Sequence, residues 1–188
     1  MKKIYIVLTK TGTILSKLIK LCTKDNYTHV SIALDYELIK MYSFGRLNAY
    51  NPFWAGFVQE GIKIGTFKRF TATQALIYEI EVTYVQYEKI QELISEFEKE
   101  KKKYKFNIMG ILLASINKSI SRKYKYYCAE FVKYILIEAN IVENLPKIIK
   151  PIDFEKIENV KLVYQGLLKD YTKGTEWEQK KTHSQKTF

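Results

Sequence analysis

Two hydrophobic periods divide this chain, and their order limits what it can fold into. In the first half, Val30, Ile32 and Leu34 alternate with His29, Ser31 and Ala33, the period of a β-strand with its faces in different surroundings. In the second half the period lengthens to that of a helix. Ile90, Leu93, Ile94 and Phe97 form one apolar stripe within 87–103, and Phe131, Val132, Ile135 and Leu136 form another within 128–139. One early strand and helix, a block of strands and then helices predict an α+β fold, an antiparallel sheet with helices packed on it.

The finer reading places a first strand at 4–8 and a helix at 13–22 that carries Cys22 in its apolar register. Asp35 to Glu37 reads as a hairpin turn, with the return strand over 38–44. Residues 45–60 hold Gly45, Asn48, Asn51, Pro52 and Gly56 and read as a loop. Phe53, Trp54 and Phe57 within it suggest a packed loop whose rings wall a pocket, and Trp54 and Phe53 are its candidate substrate contacts. Strands are expected at 61–68, 75–83 and 160–164, and a second helix at about 107–120. A single domain over 1–172 and a polar, flexible tail over 173–188, which carries His183, complete the expected organisation.

The two cysteines, Cys22 and Cys128, are too few for the disulfide framework of a small secreted domain. The apolar run Ile4 to Leu8 is too short for a signal-peptide core, and Ile108 to Ile116 falls well short of the roughly 18–20 residues of a membrane span. A cytoplasmic location is the expectation. Net charge is +11, and its placement is uneven. Between Glu100 and Glu130 stand Lys101, Lys102, Lys103, Lys105, Lys118, Arg122, Lys123 and Lys125, with no acid among them. Such a run is ordinarily a solvated face, and it also suits an anionic membrane surface. No zinc-finger, basic-zipper or RNA-binding signature accompanies it, so specific nucleic-acid binding is not expected. The histidines and cysteines lack metal-ligand spacing, and no cofactor or metal is expected.

His29 opens an apolar strand, which holds an imidazole rigidly. Cys128 opens an apolar-periodic helix after a basic segment, Lys125-Tyr126-Tyr127. Unpaired amides, the helix dipole and neighbouring cations all favour a thiolate there. A strand histidine and a helix-start cysteine are the two parts of a nucleophilic thiol site: the histidine takes the proton, sulfur attacks a carbonyl carbon, and helix-start amides stabilise the oxyanion.

Thr28-His29-Val30-Ser31-Ile32-Ala33-Leu34-Asp35 together with Tyr127-Cys128-Ala129-Glu130-Phe131-Val132 resembles the circularly permuted NlpC-type papain-like hydrolases. That group includes the YiiX/YebB-like proteins and, more remotely, the lecithin:retinol acyltransferase relatives. The resemblance spans roughly residues 4–140 and implies a permuted order, His strand before Cys helix. It also implies a third polar residue on the following strand that orients the imidazole. Twelve residues after the histidine, where a polar residue is common in such proteins, this chain has Met41. Ser43, of the same strand parity, is the candidate, while Glu37, the nearest carboxylate, falls in the turn. Tyr127, beside the cysteine, is a further candidate substrate contact. The expected activity is cleavage of a peptide bond, an amino-acid amide or an ester through a Cys128 acyl-enzyme. The alternatives are a lipid acyltransferase or phospholipase using an acyl-lipid substrate, and an inactive binding module with a basic face.

Overall fold

Strand β1 (Lys2–Lys10) is apolar on both faces because both are covered. Ile4, Ile6 and Leu8 enter one core and Tyr5 and Val7 the other. Beside it lie β2 (His29–Ala33), β3 (Met41–Asn48), β4 (Asn51–Glu60), β5 (Gln74–Val82) and β8 (Lys161–Leu167). They form one six-stranded antiparallel sheet in the order β4-β3-β2-β1-β5-β8. The structure, a computed structural model, describes residues 1–12, 26–115, 118 and 122–171, without the side chains of Pro52, Phe53, Leu112 and Ser115. The expected helix at 13–22 with its Cys22, and the tail at 173–188 with His183, lie outside the described residues.

Helices α1 (Gly65–Arg69), α2 (Tyr84–Lys99), α3 (Ile108–Ser115) and α4 (Cys128–Glu138) complete the α+β architecture. The amphipathic α2 starts at a capping box, in which the Thr83 hydroxyl accepts the Gln86 N–H and the Gln86 side chain accepts the Thr83 N–H. Its buried stripe is Ile90, Leu93, Ile94 and Phe97, the residues whose spacing predicted it. Phe97 is the hub of an aromatic cluster, 5.1 Å from Phe131 of α4 and 5.5 Å from Phe57 of β4 between ring centroids. Through that cluster α4 is packed against β2 and β3, which fixes where its N-terminus ends. A two-residue parallel pair, β6 (Lys105–Phe106) with β7 (Lys125–Tyr126), delivers the chain to that N-terminus.

Two segments differ from expectation. Residues 45–60 are not a loop: they are most of the β3–β4 hairpin, paired from Met41↔Glu60 to Asn48↔Asn51. The glycines that read as punctuation are strand residues paired with each other, Gly45↔Gly56. At Gly45 a Cβ would crowd Glu60 and His29, a strand role of glycine that imitates a loop signal. Phe57, expected among pocket-wall rings, is buried in the aromatic core. The expected strand at 61–68 is a turn followed by α1. The Ile62/Ile64 alternation is cut by Gly65 at φ +53°, and Phe67 of the helix packs into the second core.

Candidate thiol–imidazole site

The start of β2 and the start of α4 meet. Cys128 is buried at the first position of its helix, with its side chain near enough to the imidazole of His29 to raise that ring's proton affinity; the His29 side chain is 19% exposed. The local sequence explains the helix start. The Glu130 carboxylate accepts the Tyr127 N–H at 3.1 Å and the Asn107 side-chain amide at 3.3 Å, which satisfies one end amide and ties α4 to the segment leading into α3. Burial pushes the Glu130 carboxyl up from its usual range, against the pull of those two donors.

The third group is Glu60, the last residue of β4. It stands 9% exposed with its Oε2 3.0 Å and its Oε1 3.2 Å from His29 Nε2. The Ser31 hydroxyl donates to Glu60 Oε2 at 2.6 Å, and its oxygen lies 3.3 Å from the same imidazole nitrogen. Strand parity places His29 and Ser31 on one face of β2, so both reach one carboxylate. Burial disfavours charge on each partner. The Glu60 charge, the neighbouring Cys128 side chain and the Glu60 hydrogen bonds nonetheless push His29 up to about 10. Burial raises the Glu60 carboxyl, but His29 and Ser31, with Arg46 further off, outweigh this and hold it below the usual carboxylate value. The resting pair at neutral pH is therefore an imidazolium and a carboxylate.

Gly45 makes this packing possible. A Cβ there would sit 3.2 Å from both Glu60 Oε1 and His29 Cε1. Gly45→Ala is expected to push the two groups apart by a few tenths of an ångström. The alanine chain should stay folded while Cys128 alkylation slows and its pH dependence moves, a result read by thiol labelling across pH.

The other sequence candidates are placed differently. Ser43 is fully buried and donates to the Val30 carbonyl at 2.7 Å, which occupies its hydroxyl in holding β3 to β2. It is not the orienting group. Tyr127 is only 5% exposed, and its hydroxyl donates to the Ile149 carbonyl at 2.9 Å, so its ring is core and offers no surface to a substrate. Trp54 is 59% exposed on β4, beside the register shift of the hairpin. The Phe53 side chain lies outside the described residues. Glu37 is exposed in the turn after β2, away from the imidazole that Glu60 holds. Sequence reading missed Glu60 because it sat in the supposed loop. The available signal was an acid closing the strand-like run Phe57-Val58-Gln59-Glu60.

A scan against protein-family models and a comparison with curated proteins find no match to this chain.

Proposed function

We propose that the chain is a thiol hydrolase that cleaves an amide or ester bond through a Cys128 acyl-enzyme. The observation that carries this reading is one imidazole that stands beside a helix-start thiol and is held, through Nε2, by a buried carboxylate. With Nε2 held by Glu60, Nδ1 is the nitrogen left to exchange a proton with sulfur. His29 holds that proton at neutral pH, sulfur attacks the substrate carbonyl carbon, and the imidazolium returns the proton to the leaving amine or alcohol. Water, deprotonated by the freed imidazole, then hydrolyses the thioester. The Tyr127 N–H is committed to Glu130, whereas the first-turn amides of α4, including that of Cys128, have no intrahelical acceptor and suit an oxyanion. Ser31 steadies the carboxylate and is a positioning residue. The order of the two elements, His strand before Cys helix, is that of the permuted NlpC-type hydrolases, which favours peptides, amino-acid amides or acyl esters as substrates.

Alkylation with a small iodoacetamide at pH 7, read by peptide mass, tests the reading. Cys128 should react fast and selectively. His29→Asn, which keeps a donor for Glu60, should slow it by about tenfold or more. Sluggish labelling of Cys128, or equal rates in the two proteins, would instead leave a binding module without thiol chemistry.

A further inference from the structure

The basic run of the sequence becomes one surface through the β6–β7 pair. Its two halves lie about 20 residues apart in the chain, yet Lys105 sits directly across the ladder from Lys125. Like charges opposite each other oppose pairing, so this ladder forms against its own electrostatics. The flanking lysines add to the field. Lys103 and Lys123 both stand over the Tyr124 ring, with Nζ 4.6 and 5.0 Å from its centroid. Glu100, ion-paired with Lys103, and Glu96, which accepts from the Tyr104 hydroxyl at 3.1 Å, are acids at the rim.

Beside this charge the chain exposes apolar side chains. Ile108 and Met109, which open α3 two residues after β6, are 48% and 47% exposed. Helix α3 carries no charged residue along its length, and basic residues stand on both sides of it, Lys105 before and Lys118 after. We propose that this surface docks on an acidic phospholipid membrane, with the lysines on the headgroups and Ile108 and Met109 set into the interface. Charge complementarity selects an anionic partner, and the solvent-facing isoleucine and methionine select a lipid surface over a nucleic-acid backbone, which offers them no apolar medium. No described helix is long and apolar enough to cross a membrane.

The inference stands apart from the hydrolase reading, because vesicle binding is measured without turnover. The full chain is sedimented with phosphatidylcholine vesicles and with vesicles that also contain phosphatidylglycerol. Binding is expected to the anionic vesicles alone and to weaken with salt. Lys105→Glu combined with Lys123→Glu should reduce partitioning by about tenfold or more. Met109→Ser should reduce it by a smaller factor that salt does not alter. Lys63→Glu with Lys161→Glu, on exposed residues elsewhere, should match the wild type apart from the loss of net charge. Equal binding to both vesicle types, equal losses in the two charge-reversed pairs, or no effect of Met109→Ser would overturn the proposal. So would tighter binding to single-stranded RNA than to anionic vesicles through the same lysines.

Discussion

Replacing Cys128 with alanine is expected to abolish hydrolysis of any acyl substrate and leave the fold standing. Among the described residues the chemistry assigned to this one has no substitute. The Ser31 hydroxyl, 3.3 Å from the imidazole, gives its proton to Glu60 at 2.6 Å and lies on the Nε2 side of the ring, opposite the nitrogen assigned to the thiol. The structural cost is small by comparison. Cys128 is buried beside Phe131 and Val132, but the change removes one sulfur and leaves the helix start with its Glu130 contacts. That loss should fall well below the roughly 2–5 kcal/mol of a large core truncation. Turnover of an activated ester and urea denaturation of the same preparation separate the two effects. Turnover equal to the wild type would assign the chemistry elsewhere. A collapsed denaturation midpoint would show that the sulfur serves as core.

The sequence carried the two ends of the site but not its middle, for a physical reason. His29 and Cys128 each announce themselves locally, one at the head of an alternating run and the other at the head of a helical one. Glu60 becomes meaningful only through the pairing register Met41↔Glu60, a long-range fact that no local pattern encodes. The loop reading of 45–60 hid that register. Glycine in a strand and glycine in a turn look alike in one sequence, and nothing local reveals that Gly45 makes room for Glu60 and His29. Ser43 satisfied strand parity and was chosen on it, but parity does not reveal that a hydroxyl so deeply buried must find a partner at once. It found the Val30 carbonyl. The same reasoning applies to Tyr127: adjacency to a nucleophile says nothing of where a ring points, and this one closes the core against Ile149.

The fold was more legible than the site because its signals are repeated. The apolar stripes of α2 and α4 each offer several residues that agree, so an error at one position does not move the helix. The short α1 had no such redundancy. Five residues with one buried side chain, Phe67, cannot establish a helical period against the alternating Ile62 and Ile64. Yet α1 bears on the site, since the Phe67 ring lies 6.4 Å from that of His29 and helps keep water from the imidazolium–carboxylate pair.

Glu60→Gln is expected to lower turnover by roughly a hundredfold or more and to change the pH dependence of stability, while keeping the chain folded. Glutamine preserves the shape and can still accept from Ser31, so what it removes is chiefly charge. In the wild type, burial alone would lower the proton affinity of His29, and Glu60 and Cys128 reverse this, pushing it up to about 10 against an ordinary 6.5. Protonation therefore contributes stability that is full below about pH 6.5 and is lost as pH rises through about 10. The Glu60 carboxyl is displaced the other way, so its contribution is present above the ordinary 4.5 and is lost as pH falls below it. The pair thus supports the fold across the neutral range and weakens at both ends. With glutamine at 60 the attraction is gone, burial prevails, and His29 is expected neutral at pH 7. Unfolding free energies of both proteins, measured by urea denaturation from pH 7 to 10.5, give the test. Surface lysines and tyrosines titrate alike in both, so the difference between the curves isolates the pair. It should shrink steadily toward pH 10. A difference that stays constant with pH would show that Glu60 does not govern the proton on His29, and the carboxylate would then be structural only.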